Sequence, residues 1–253
     1  MNLALVNTMK IKFINILAVL TTLFFASCSV ESIDPVLPKQ INNDTNSNPN
    51  GVVVDYWPSV VNNNWTYTKN GVAQTPMKVM STEVLRGKTY YTFNNLFGQS
   101  ASVSAKVTMQ LRKNNGDYYL RVPGFTADLG TTGTAQSTEF EYLLFKDYVN
   151  LNDTWTSNFT QTFTYSNPVI PSVVTSTVID GTMLGKDTSI VVNGVTFNNV
   201  IKFKVIQKTT VLMQVTTTTT YYWYAKGVGC VKSIIQNTGT SDTVSELQTY
   251  NLF

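Results

Sequence analysis

VSAKVTMQLRKNNGDYYLRV, residues 103–122, decides the fold class. Residues 103–113 alternate apolar and polar side chains, the period of a half-buried strand whose successive residues point to opposite faces. Asn114-Asn115-Gly116-Asp117 then breaks the alternation. Asn followed by Gly tolerates the positive φ angles of a tight hairpin turn better than almost any other pair. Residues 118–122 resume the strand pattern, so the segment reads as two antiparallel strands and their turn.

The same grammar extends outward on both sides. Residues 65–69 lead into Asn70-Gly71 and a long run over 72–85, and Arg86-Gly87 separates that run from 88–93. Downstream, residues 155–165, 172–183, 189–192, 200–210, 215–225, 230–236 and 244–252 read as strands, with Asn193-Gly194 as another turn. Residues 139–145 fit either a strand or a short helical piece. The five consecutive threonines 216–220 are β-branched and suit an extended chain with a soluble outer face. Helical periodicity is found only in the N-terminal leader. The expectation is one all-β domain over residues 55–253, built of long antiparallel strands in a strongly curved sheet or barrel-like structure, with a β-sandwich as the alternative.

An internal echo raises the prospect of two diverged repeats. Asn64-Trp65-Thr66 recurs loosely as Thr154-Trp155-Thr156, and Thr92-Phe93-Asn94-Asn95 recurs at Thr196-Phe197-Asn198-Asn199. Thr, Asn and Phe are common in this chain, so composition alone also yields such tetrads.

Composition narrows the chemistry. The 253 residues contain no histidine, which removes Ser-His and Cys-His catalysis and most zinc and iron sites. Charged residues are only 13% of the chain, with a formal charge of +3. Lys10 and Lys12 belong to a cleavable leader, and their loss leaves 16 basic residues against 15 acidic ones. A near-neutral mature chain has no basic stripe for nucleic acid and no polybasic membrane patch.

That leader begins with Lys10 and Lys12, continues through an apolar run over 13–26, and ends in small residues. It is too short for a membrane span, which needs about 20 apolar residues, and reads as a signal peptide over residues 1–27. Met9 is an alternative start. Phe24-Phe25-Ala26-Ser27-Cys28 resembles a lipobox, although Phe25 stands where Leu is common. The resemblance implies diacylglycerol on the Cys28 sulfur, cleavage after Ser27, and an acylated amino terminus. Several acyl chains hold a protein on a bilayer where one is marginal, which makes the membrane the first expected partner. Residues 28–54, rich in Asn, Ser and Pro, read as the lipidated cysteine and a flexible tether. Asp44, Asn46, Asn48 and Asp55 fall near calcium-loop spacing, but Pro49 stands where such loops need Gly, so a solvated linker is the better reading. With Cys28 acylated, Cys230 has no disulfide partner and reads as a small buried hydrophobe.

Three further segments resemble a broad group of β-rich lipoproteins of the Bacteroidota. They are Tyr56-Trp57-Pro58 with Trp65-Thr66-Tyr67, residues 192–202, and Tyr222-Trp223-Tyr224-Ala225-Lys226-Gly227-Val228-Gly229-Cys230, followed by residues 246–250. The resemblance covers most of residues 55–253 and implies a fold neighbourhood; with the lipid anchor, the expected location is the outer membrane of the cell envelope, on either its periplasmic or its surface side. The resemblance implies no activity and no cofactor. Asp242-Thr243-Val244 resembles an O-glycosylation tripeptide of the same phylum, with Thr243 the acceptor.

For a ligand, the aromatic strands are the best candidates. In residues 221–224, alternation puts Tyr222 and Tyr224 on one face and Tyr221 with Trp223 on the other. Tyr222, Tyr224, Tyr118 and Tyr90 are the expected ligand-binding residues, suited to stacking on a glycan or lining an apolar groove for a lipid or protein partner. The competing reading is that these rings are purely structural. Among acids, Glu139 and Glu141 are the closest pair, and a solvated strand face explains them better than a metal-free glycosidase does. The expectation is a non-enzymatic envelope lipoprotein, with a structural accessory as the alternative and a carboxylate glycosidase behind it.

Overall fold

The computed structural model describes residues 55–96, 107–236 and 241–253. The expected signal peptide, the acylated Cys28 and the tether lie outside the described residues.

The strands, in chain order, are β1 (Asn64–Lys69), β2 (Val72–Ala73), β3 (Met77–Leu85), β4 (Lys88–Phe93), β5 (Met109–Asn114), β6 (Asp117–Val122), β7 (Thr126–Asp128), β8 (Thr134–Ser137), β9 (Phe140–Lys146), β10 (Thr154–Tyr165), β11 (Val173–Val192), β12 (Val195–Val211), β13 (Gln214–Ala225), β14 (Gly229–Gln236) and β15 (Thr243–Asn251). They form one antiparallel sheet in the order β7-β8-β10-β11-β12-β13-β14-β15-β1-β3-β4-β5-β6-β9, with the short β2 paired to β1. The 139–145 segment is therefore strand, as β9. The run over 72–85 is divided, because Pro76 lacks the N–H that a continuous ladder needs.

Alternation sets the inside. In β11, every second residue from Val173 to Gly185 is buried while those between face outward. Asn70-Gly71, Arg86-Gly87, Asn115-Gly116 and Asn193-Gly194 all hold positive φ at both positions, as mirror-image hairpin turns require. The sheet curls until β9, at one end of the order, lies beside β10. No ladder joins these two strands; the Leu143 N–H donates to Ser157 Oγ at 3.1 Å, and the Trp155 indole N–H donates to the Leu144 carbonyl at 3.1 Å. The result is a strongly curved, open sheet whose edges are tied by side chains.

One aromatic core fills the curl. Phe145 stacks on Tyr118 at 4.0 Å and lies 4.8 Å from both Phe203 and Tyr224. The chain enters across one end of this core. The Gly227 N–H donates to the Asp55 carbonyl at 2.8 Å, and Trp57 inserts between Phe93 at 5.7 Å and Tyr224 at 5.4 Å.

The echoed tryptophans share a local device. Trp65 and Trp155 are each the second residue of a strand, and each indole N–H donates to a carbonyl, Val228 and Leu144 respectively. Each also stands over a glycine, Gly229 and Gly181. The echoed tetrads do not correspond in this way, since Phe93 ends β4 whereas Phe197 is the third residue of β12.

Candidate functional site

Two concave features stand out among the described residues, one inside the curl and one on its outer face. The inner cavity, of about 80 Å³, is walled by Phe140, Tyr142, Phe159, Ile179, Val205 and Tyr222, among other apolar side chains. Gln207 and Thr220 supply polar groups in its lining. It lies farther along β13 from the Asp55 strap than Tyr224 does. The strap end of the interior is packed with rings, and at the far end Phe163 and Val173 form a second buried cluster with Phe125, Tyr165 and Val211, so the cavity is a gap between two packed regions. Phe140 and Phe159 stack at 4.2 Å and Tyr142 lies 5.5 Å from Phe159, so one wall is a continuous aromatic surface.

The outer groove, of about 370 Å³, brings together Arg86, Lys88, Tyr90, Arg121, Glu139 and Glu141. Glu141 accepts two hydrogen bonds from Arg112, at 2.6 and 3.1 Å, and one from the Tyr90 hydroxyl at 2.8 Å. Burial pushes its carboxyl up, but Arg112, Tyr90 and Lys88 outweigh burial and hold it below the ordinary glutamate value. Glu139, half exposed, pairs with Arg121. Arg112 lies 3.7 Å above the Tyr119 ring, and Arg121 lies 5.3 Å from the Tyr90 ring. The ring faces that a sugar would stack on are thus taken by arginines, and the acid closest to them is held ionised.

The structure separates the four expected tyrosines. Tyr224 and Tyr118 are interior core residues sharing Phe145 as a neighbour. Tyr222 also faces inward and lines the cavity. Tyr90 is on the opposite face of the sheet, because Tyr91 takes the inward position in β4. The outward pair on β13 is consequently Tyr221 with Trp223, and Lys202 lies over both, 4.8 Å from the Trp223 ring. Thr243, the first residue of β15, is half-buried beside an exposed Asp242. Cys230 is a free, buried thiol whose pKa burial pushes far up.

A second acid pair was not apparent in the sequence. Burial raises the pKa of Asp147, whose carboxylate accepts the Tyr118 hydroxyl at 3.0 Å, and nearby Asp55 adds to that rise. The Tyr118 hydroxyl in turn accepts the Tyr56 N–H at 3.0 Å, and Asp55 is held by Lys113 and the Trp57 N–H. Neither acid lines either cavity, and their partners pin the entering strap to the core. Among the described residues no group of three or more Cys, Asp or Glu side chains is placed to hold a metal.

Tyr224 carries an unusual cost. Its hydroxyl is buried and finds no hydrogen-bonding partner among the described residues, whereas the Tyr67 hydroxyl donates to the Cys230 carbonyl at 2.9 Å. Tyr224→Phe is therefore expected to leave stability unchanged or raise it by about 1–2 kcal/mol, and Tyr67→Phe to lower it by about 1 kcal/mol. Urea unfolding of the two variants side by side checks the contrast. Equal losses in both would mean that the Tyr224 hydroxyl has a partner after all.

No family model matches the chain, and no curated protein matches it in sequence. Two solved structures resemble it. A candidate lipoprotein of Parabacteroides distasonis ATCC 8503 is 16% identical with a TM-score of 0.50, over 78% of this chain and 99% of that one. A candidate exported protein with a YmcC-like fold from Bacteroides fragilis NCTC 9343 is 12% identical with a TM-score of 0.48, over 79% and 100% of the respective chains. At such identities the likeness is one of fold.

Proposed function

We propose that the chain is a non-enzymatic lipoprotein of a bacterial envelope, anchored through Cys28, whose β domain takes the apolar end of a lipid into its inner cavity. The leader and the Cys28 context support the anchor, and the lipoprotein description of the Parabacteroides distasonis structure agrees with it. The observation that carries the ligand is the apolar-lined cavity of about 80 Å³ that interrupts an otherwise packed interior. Its walls are aliphatic and aromatic, with Gln207 and Thr220 as polar exceptions. Drug-sized ligands fill roughly 300–1,000 Å³, so this smaller space suits the terminal methylenes of an acyl chain and not a head group or a sugar. The non-enzymatic part is supported by the ionised, arginine-held Glu141 and by an acid pair spent on fixing the strap.

A fluorescent polyene fatty acid tests the cavity. The mature chain is expected to bind it saturably, and Val205→Phe, which fills the cavity from β12, to weaken binding at least tenfold while circular dichroism shows the sheet intact. Equal binding by the variant, or no saturable binding by the parent, would exclude the cavity as the ligand site.

A further inference from the structure

Four hairpin turns of the sheet place glycine second, and in each both central residues have positive φ. The β12–β13 turn breaks that rule. Leu212 and Met213 adopt φ of 46° and 69°, left-handed backbone that bulky residues with a Cβ disfavour. They are also exposed: Met213 keeps 95% of its surface in solvent and Leu212 61%. A turn that is both strained and apolar runs against local folding chemistry twice over, and such conflicts mark functional positions.

The neighbourhood extends the pattern. Thr175 pairs with Val211, which pairs with Gln214, so the β10–β11 connection and the β12–β13 turn lie side by side at one end of the sheet. Val169, Val174 and Val215 are exposed there too. Not one residue between Asp153 and Asp180, or between Lys208 and Lys226, is charged. Threonines 209, 210, 216 and 217 form an uncharged polar collar behind the tip. This end is remote from the strap. The 12-residue β13 runs from the tip toward Gly227, which holds Asp55, and at ~3.3 Å per residue that is about 40 Å.

We propose that this end of the sheet is a membrane-contact surface that seats Leu212 and Met213 in the interface of a lipid bilayer. Charge is costly at that depth, and neither the β10–β11 connection nor the β12–β13 turn carries any; the exposed Asp128 of the same end stands on β7, separated from that turn by β8, β10 and β11. Hydroxyl and amide side chains behind an apolar tip suit the head-group level, and the absence of lysine and arginine means that the contact does not depend on anionic lipid. Residues 28–54 span up to ~90 Å when extended, more than the length of β13, so a chain anchored at Cys28 reaches the same bilayer with its far end. That last step rests on the lipid-anchor reading; the contact surface does not.

The full, acylated chain in phosphatidylethanolamine–phosphatidylglycerol vesicles is the sample. With Cys28 acylated and Cys230 buried, Met213→Cys offers a single thiol for an environment-sensitive nitrobenzoxadiazole label, and Val191→Cys, in the exposed β11–β12 hairpin, is the control. Two labels per chain would instead report a free Cys28 and a failed anchor reading, without bearing on the tip. A blue-shifted emission at 213, quenched by nitroxide-bearing lipids and absent at 191, is the expected result. Water-like emission at 213 overturns the proposal. A blue shift that grows with protein concentration and ignores the lipid quencher also overturns it, because copies of the chain would then be meeting. The variant Leu212→Asn with Met213→Gly restores the ordinary turn, and a label at Val215→Cys should lose its lipid quenching in that background; unchanged quenching would sink the assignment.

Discussion

Trp155→Ala is expected to destabilise the domain by about 3–5 kcal/mol, the range for removing a large buried aromatic. Trp155 is 5% exposed, meets Phe203 edge-on at 6.0 Å, and donates to the Leu144 carbonyl. That carbonyl is on β9, where the sheet has no ladder to β10, so losing the indole also loosens the tie between the two ends of the curl. Gly181 is its cross-strand partner in β11, and a Cβ there would collide with the indole ring. Gly181→Ala is therefore expected to cost about 1–3 kcal/mol on its own. In the Trp155→Ala background the sign should reverse, because the space is vacant and alanine is better than glycine in a strand by roughly 0.5–1 kcal/mol. Denaturant unfolding of the four proteins gives the coupling directly. Additive losses would show that the indole does not rest on Gly181.

The strand grammar was legible because it is local. Asn115-Gly116 and Asn193-Gly194 announce their turns, and alternation announces what lies between them. What alternation cannot state is which face is inside. Residues 221–224 offer Tyr222 and Tyr224 or Tyr221 and Trp223 with equal periodicity, and only their partners, Phe203 on the neighbouring β12 and Phe145 across the curl, draw the tyrosines inward. The cavity was illegible for the same reason. Its walls come from β5, β6, β9, β10, β11, β12 and β13, and no single segment records where seven strands leave a gap. The Leu212-Met213 turn is hidden differently: strands over 200–210 and 215–225 leave a break there, but the pair lacks every turn signal, so neither its left-handed backbone nor its exposure is legible. The tie from Trp155 to β9 likewise depends on how far the sheet curls, a global quantity built from many small strand twists.

Arg112→Met should produce the other large effect, with a pH signature of its own. The Arg112 side chain is 9% exposed, grips Glu141 through two hydrogen bonds and covers the Tyr119 ring. It thereby joins β5 to β9 across the intervening β6, and Tyr90 adds β4 to the same carboxylate. Removing one partner of a mostly buried pair leaves the other charge stranded, at a cost of about 3–5 kcal/mol near neutral pH. Lys88 does not replace it, since that ammonium lies 4.0 Å away with its side chain 55% exposed. In the parent, the folded-state pKa of Glu141 is depressed, so its stabilising contribution is complete above the ordinary glutamate value of 4.5 and is lost as pH falls through the lower folded value. In the variant, burial acts unopposed by Arg112 and the carboxyl takes up a proton at higher pH, which relieves the stranded charge. The stability gap between the two proteins should therefore narrow as pH falls from neutrality through 4.5 and below. Replacing both residues, Arg112→Met with Glu141→Met, should recover much of the loss, because an apolar pair of similar size is often as stable as the ion pair it replaces. Unfolding free energies measured from pH 7 downward decide the matter: a gap that stays constant with pH would mean that Arg112 stabilises by packing on Tyr119 and not by holding Glu141.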